Sequence, residues 1–306
     1  MISLMDLESG GLLMLKTKNA LQTLRPLQWV KNLLIFFPML LAHHFSNSFL
    51  WLNATKAFVA FSFAASFVYI LNDLLDLKED RLHPTNKSRP LAAGLISTKE
   101  ALFIGSGLFV VSLLLAASTN FNFLCLILVY VVMNFFYSLI FKKKAILDVI
   151  VLASFYTLRI FAGSIVTGVA ISHWLLSFSI FIFLSLALVK RYFEILAFSD
   201  RNLQVSRGGY EPTDAILLSQ IGIASGLIGV LVLVLYLHSS EVTERYAHSQ
   251  TLWLLCPLFL YWLGYIWFKA HRRNFDYDPL LFALKDSTSY CVSLLTLFIL
   301  AIAKFG

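Results

Sequence analysis

The sequence predicts an all-α fold, a polytopic membrane helical bundle of about nine transmembrane helices with cytosolic connecting loops. Three observations predict it. Of 306 residues, 59% are hydrophobic and 13% charged, and the mean hydropathy is +0.79. A soluble domain of this size carries far more charge on its surface. The apolar residues gather into nine stretches near the 20 residues that a crossing requires, at 29–46, 54–75, 101–118, 121–141, 146–169, 174–195, 215–238, 251–269 and 286–304. Lipid offers no partner to an unpaired backbone group, and the alternation of a β-barrel is absent, so these stretches are read as helices. The 28 Phe and 12 Tyr suit a lipid-facing and interfacial surface. The chain is therefore expected to form one transmembrane domain over 1–306, with 1–20 a cytosolic segment. No cleavable leader is expected, because acids precede Lys16 and Lys18 without a sustained apolar core.

The basic residues orient the bundle. Lys16, Lys18, Arg25 and Lys31 flank the first stretch. The connections after the second, fourth, sixth and eighth stretches hold most of the others. Together these positions take 20 of the 24 Lys and Arg, leaving Lys56, Arg159, Arg245 and Lys304. The positive-inside rule then puts the N-terminus in the cytoplasm and the C-terminus outside, in a multi-pass cell (inner) membrane protein. The same distribution explains the net charge of +7 without nucleic acid. Cys125, Cys256 and Cys291 lie in apolar runs without metal-like spacing and are read as core residues.

The longest polar connections, 76–100 and 194–214, fall on the predicted cytosolic side. Long polar connections are usually functional. At the mouth of the first stands Asn72-Asp73-Leu74-Leu75-Asp76-Leu77-Lys78-Glu79-Asp80-Arg81. At about 100° per residue, Asn72, Asp73, Asp76 and Asp80 occupy roughly a quarter of a helix circumference. Like charges on one face repel, and at a membrane boundary they require a cation. Oxygen ligands without His or Cys suit Mg²⁺, which completes its shell with water and substrate phosphates. Asn72, Asp73, Asp76 and Asp80 are the predicted metal ligands, and Asn72, Asp73 and Asp76 the predicted catalytic residues.

On these residues the chain resembles the UbiA superfamily of intramembrane prenyltransferases over roughly 20–304. Asn72–Arg81 fits the family's first motif, N-D-x-x-D-x-x-x-D-R. The resemblance implies Mg²⁺ on the acidic motif, holding the diphosphate of a substrate whose allylic or anomeric carbon is attacked. Members using isoprenyl diphosphates carry a second Asp-rich motif after the sixth helix. Here stands Lys190-Arg191-Tyr192-Phe193-Glu194, followed by Asp200. Glu194 and Asp200 are about 240° apart on a helix and share no face.

That departure resembles the polyprenyl-phosphate (decaprenyl-phosphate) phosphoribosyltransferase branch. Further segments fit it in order: Arg25–Asn32, His83–Gly94, Tyr137-Ser138 with Lys142 and Asp148, Arg159 with Ala162-Gly163, Lys190–Glu194 and Gly209-Tyr210. The resemblance implies phosphoribosyl diphosphate as donor and a polyprenyl phosphate lipid as acceptor. Three phosphate groups in one pocket require many basic donors. Lys31, Lys87, Arg89, Lys142, Arg159, Lys190 and Arg191 could supply them, with Tyr137 and Glu194 in the matching segments. Arg159, within the fifth stretch, requires a partner, either an anionic substrate or Asp148. The role of Asp148 is left open between binding metal and holding a lysine. The alternative function is transfer of a prenyl group to an aromatic or lipophilic acceptor. A transporter is disfavoured because the acids gather at one end. Gly163 with Thr167, and Ser164 with Gly168, have the spacing of close helix contacts.

Overall fold

A computed structural model describes residues 17–82, 86–199, 209–275 and 278–306. Every regular element among them is helical. A helix at 17–24 (α1) leads into a 3-10 segment, Pro26–Phe36, and then α2 (Phe37–Leu41), α3 (Ser48–Leu75), α4 (Leu77–Leu82), α5 (Thr98–Thr119), α6 (Phe121–Leu139), α7 (Leu147–Thr167) and α8 (His173–Ser199). After α8 come α9 (Ala215–Leu237), α10 (Ser240–Arg245), a 3-10 turn at Ser249–Leu254, α11 (Leu255–His271), α12 (Pro279–Ala283) and α13 (Ser287–Phe305).

Eight of these elements are long and apolar enough to cross a membrane, and they coincide with the second to ninth predicted stretches. The first stretch differs, because Pro26–Leu41 is a shorter apolar helix. An α-helix rises about 1.5 Å per residue and a 3-10 helix about 2.0 Å, so its 3-10 portion covers more length with fewer residues. The contacts show how far it reaches. Arg25 pairs with Asp73 near the C-terminal end of α3. Trp29 Nε1 donates to Ser66 Oγ (3.0 Å) and Asn32 Nδ2 to Ser62 Oγ (2.9 Å). Phe36 meets the Phe58 and Trp51 rings at 6.0 and 5.7 Å, and Trp51 Nε1 donates to the Phe45 carbonyl (2.9 Å). The segment runs antiparallel to α3 along nearly its whole length.

The contacts gather into two compact units, Met1–Leu139 with Leu158–Ala170, and Ile140–Thr157 with Ile171–Gly306. In the first unit α3 is the spine. Its Ala54, Ala57, Ala60, Ala64 and Ala65 are buried, and such small residues let neighbouring helices approach closely. Ser112 Oγ of α5 donates to the Ala60 carbonyl (2.7 Å), and Phe67 stacks on Phe109 at 4.6 Å. The C-terminal half of α7 lies so close to the 3-10 segment that a Cβ on Gly163 would stand 2.0 Å from the Ile35 carbonyl oxygen. Gly168, by contrast, lies past the end of α7 at φ 68° with open space around its Cβ position. It terminates the helix, so the expected Ser164–Gly168 helix contact is not made.

In the second unit α8 packs along α9. A Cβ at Gly222 would meet the Trp267 ring at 2.2 Å and one at Gly229 would meet Ile182 at 2.8 Å. Trp267 Nε1 donates to Ser185 Oγ (3.2 Å). The three cysteines are free; Cys256 is buried, but Cys125 and Cys291 are exposed rather than in the core.

Candidate functional site

Two polar stations stand out, one in each unit. The first is built where α3 ends. α3 stops at Leu75; Asp76 is its C-cap, and α4 resumes at Leu77. Hydrogen bonds nevertheless continue through the bend, from Asp76 N–H to the Asn72 carbonyl (2.9 Å) and from Asp80 N–H to the Asp76 carbonyl (2.8 Å). The helical spacing of Asp73 and Asp80 therefore survives. Both are buried, and Arg89 Nη1 touches both, at 3.1 Å from Asp73 Oδ1 and 2.6 Å from Asp80 Oδ2. Arg25 adds a second guanidinium on Asp73, and its own ring contact is Tyr69, 5.2 Å away. Asn86 Nδ2 donates to the other oxygen of Asp80 (2.8 Å). Ser138 Oγ of α6 donates to Asn72 Oδ1. Asp76 is half-buried at the bend.

One hydrophobic cluster positions both arginines. Ile70, Leu91, Ile96 and Ala101 form its buried centre, and Ala20, Leu24, Leu74 and Leu77 pack against it. Leu24 immediately precedes Arg25, and Leu91 lies two residues after Arg89. Ser66 Oγ also ties down the Leu24 carbonyl (2.8 Å). Arg25 takes a left-handed conformation, φ 52° and ψ 56°. Non-glycine residues rarely adopt it, and a packed surrounding must hold it.

The acids fit a divalent ion in chemistry. The donors are all oxygen, and Asp73 and Asp80 face one point where a cationic nitrogen now sits. Among the described residues no three His, Cys, Asp or Glu side chains form a metal-holding group. Asp73 and Asp80 share a partner in Arg89, but the three expected aspartates do not form one metal-holding group.

The second station joins α7, α8 and the segment after residue 208. Asp148, at the first turn of α7, is fully buried. It accepts from Arg191 Nη2 and from the Tyr210 hydroxyl. Arg191 Nη1 also donates to Glu194, one helical turn on. Tyr210 in turn accepts from the Ile146 N–H (2.7 Å). Ile146 has φ 65°, an outlier for a β-branched residue. Gly209 has φ 69°, and a Cβ there would stand 2.8 Å from the Lys143 carbonyl oxygen, so the position requires glycine. Burial, then the Asp148 hydrogen bond and charge, raise the Tyr210 pKa well above its usual value of 10.0.

The remaining predicted residues are placed as follows. Lys31 is half-buried on the 3-10 segment, Lys87 exposed in the turn Asn86–Ser88, and Tyr137 half-buried beside Ser138. Lys142, in the turn Phe141–Lys143, and Lys190, on α8, are half-buried. Arg159 is buried. Its Nε donates to Asn32 Oδ1 (2.7 Å), and its guanidinium lies over the Phe61 and Tyr130 rings at 5.0 and 5.5 Å. Asp148, one of the two partners expected for Arg159, accepts from Arg191 and Tyr210 instead. Asp200, Arg201, Arg207, Gly208 and His83-Pro84-Thr85 lie outside the described residues. Sequence reasoning placed Arg25 and Tyr210 in segments that carry the resemblance but gave neither a partner; their acidic partners lie 48 and 62 residues away.

The chain resembles several known proteins. It is 36% identical to y4nM of Sinorhizobium fredii over 280 residues, 91% of this chain and 54% of that protein, so it spans about half of that relative's length. It is 30% identical to nodulation protein NoeC of Azorhizobium caulinodans, over 87% of this chain and 86% of NoeC. It is 33% identical to the decaprenyl-phosphate phosphoribosyltransferase of Corynebacterium glutamicum, over 63% of this chain and 60% of that enzyme. The fold matches a UbiA homolog from Archaeoglobus fulgidus solved with GPP and Mg²⁺, with a TM-score of 0.66 at 20% identity, over 93% of this chain and 99% of that one. The UbiA prenyltransferase family profile matches residues 33–285. With the helical architecture and the Asn72–Arg81 acids in place, the chain belongs to the UbiA prenyltransferase family.

Proposed function

We propose that the chain transfers 5-phosphoribose from phosphoribosyl diphosphate to a polyprenyl phosphate at the cytosolic face of the cell membrane. The observation that carries this reading is the inequality of the two stations. The arginine side chains on Asp73 and Asp80 keep 26% and 27% of their surface exposed, so this station is open to a ligand. At the second station the Arg191 side chain is 6% exposed, and both Asp148 and Glu194 are committed to it. A two-metal prenyl diphosphate site needs both acidic stations available. Among the described residues the chain has one such station; at the other, Arg191 already holds both Asp148 and Glu194, with Lys190 next to it in the chain. The Corynebacterium relative, named for phosphoribosyl transfer to decaprenyl phosphate, supports the same reading.

In this reading Asn72, Asp73, Asp76 and Asp80 would hold Mg²⁺. When bound, the metal supplies charge neutralisation to the leaving group. Lys31, Lys87, Arg89, Lys142 and Lys190 are assigned to phosphate oxygens, and Tyr137 to contact with substrate. The acceptor phosphate is already an anion, so no strong general base is required, and positioning supplies much of the rate. Arg191 and Glu194 act by fixing the end of α8. Arg159 acts from a distance. Ser62, which shares Asn32 with it, precedes Asp73 by about 16 Å along α3 at 1.5 Å per residue, so Arg159 holds the segment that carries Lys31.

The test is a direct donor comparison. The purified full chain in lipid nanodiscs receives Mg²⁺ and polyprenyl phosphate with radiolabelled phosphoribosyl diphosphate, or labelled prenyl diphosphate with an aromatic acceptor. Label is expected in lipid from the first donor. Label transferred only from the second would overturn the proposal in favour of prenyl transfer.

A further inference from the structure

We propose that Arg25 and Arg89 are exchange partners. They hold Asp73 and Asp80 until a diphosphate arrives, and then pass to its oxygens as Mg²⁺ takes the carboxylates. This rests on the reading of the first station as a Mg²⁺–diphosphate site, and not on which group is transferred. The observations are the shared contact of Arg89 Nη1 with both carboxylates, the second guanidinium on Asp73 and the burial of both acids.

The charges of Asp73, Asp80, Arg25 and Arg89 cancel. A lone Mg²⁺ would have to displace or crowd two guanidinium groups at half-buried depth, leaving uncompensated positive charge. A lone diphosphate would draw the arginines away and strand buried carboxylates. Either step alone breaks buried pairs, which is strongly unfavourable. Together they restore every pair: carboxylate with metal, guanidinium with phosphate. Arginine suits the exchange because its planar fork matches phosphate as well as carboxylate. Both arginines sit on connecting segments anchored by the cluster around Leu24 and Leu91, so their side chains can swing while their backbones stay fixed. The carboxylates are held independently. Asn86 secures Asp80, and both acids sit on helices.

Cooperativity between metal and anion follows, and it is reciprocal. The test measures binding, not turnover, on the full chain in nanodiscs. Mn²⁺, standing in for Mg²⁺, is titrated by electron paramagnetic resonance with and without inorganic pyrophosphate, corrected for the metal–pyrophosphate complex formed in solution. Saturating pyrophosphate should tighten metal binding at least about tenfold. In Arg89→Gln, metal alone should bind about tenfold more tightly and the coupling should fall towards one. Arg25→Gln should shift the same way to a lesser degree, because it touches one carboxylate. Arg89→Lys, which keeps the charge, should retain weak binding of metal alone. Equal metal affinity with and without pyrophosphate in the unaltered protein overturns the exchange while leaving the metal site intact. No binding under either condition overturns the exchange and the diphosphate reading together.

Discussion

The Ile146–Tyr210–Asp148–Arg191 chain shows how much of this molecule is settled by single side chains. Tyr210 satisfies a strained amide on one side and a buried carboxylate on the other. In Tyr210→Phe both are left short of a partner, and a buried unsatisfied group costs about 1–3 kcal/mol. The pH dependence follows from the raised Tyr210 pKa. The folded protein keeps the phenol proton at pH values where the unfolded chain has released it. The tyrosine's contribution to stability is thus full below its ordinary pKa of 10.0 and declines as pH rises beyond it. Thermal melts in detergent should show the variant less stable at neutral pH, with the gap to the unaltered protein narrowing above pH 10. Parallel curves across that range would remove Tyr210 from the network. The sequence announces Asp73 and Asp80, because their spacing on one helix face is a local property. It does not announce Arg25 as the partner of Asp73 or Tyr210 as the partner of Asp148, because each is set by a loop geometry with positive φ, at Arg25 itself and at Gly209, that only tertiary packing enforces.

At the scale of elements, apolar patterning reads burial well and helix type poorly. Eight stretches become the expected helices with edges shifted by a few residues. Pro26–Leu41 is apolar in the same way, yet much of it is wound as a 3-10 helix. Its contacts come from Gly163, Arg159, Ser62 and Ser66 in other helices. The small-residue spacing at Gly163 is a legible sign of a close approach, but not of which neighbour approaches. Gly163→Ala would place a methyl group 2.0 Å from the Ile35 carbonyl oxygen. Overpacking of this kind costs about 1–3 kcal/mol or more, and here the displaced atom is backbone. Gly107, within α5, has nothing within 4 Å of its Cβ position. Gly107→Ala should stabilise by about 0.5–1 kcal/mol, since alanine loses less backbone freedom in a helix. Paired melts of the two variants in the same detergent separate close packing from helix propensity. Equal shifts in both would show that the 3-10 segment is not held by the Gly163 contact.

For the whole molecule, parity decides where the two ends lie, and parity turns on the shortest apolar element. Eight crossings would return the C-terminus to the side of the N-terminus; nine would not. The segment from Arg25 to Phe45 touches α3 from Asp73 back to Trp51. Within it, the 11 residues of Pro26–Phe36 and the 5 of Phe37–Leu41 cover about 30 Å when the 3-10 portion rises 2.0 Å and the rest 1.5 Å per residue. That matches the hydrocarbon thickness of a bilayer. The charge pattern agrees: the connections that follow α3, α6, α8 and α11 hold most of the lysines and arginines, and those between hold few. On both lines the first station is expected on the cytosolic side, as the proposed soluble donor requires. They predict that alkaline phosphatase fused after Lys304 is active in the periplasm and that a fluorescent protein fused there is dark. Fusions in the connection after α6 should give the opposite result. A fluorescent signal after Lys304 would mean that Pro26–Leu41 does not cross. The N-terminal flank and the C-terminus would then share a side, and the charge bias alone would have to orient the bundle.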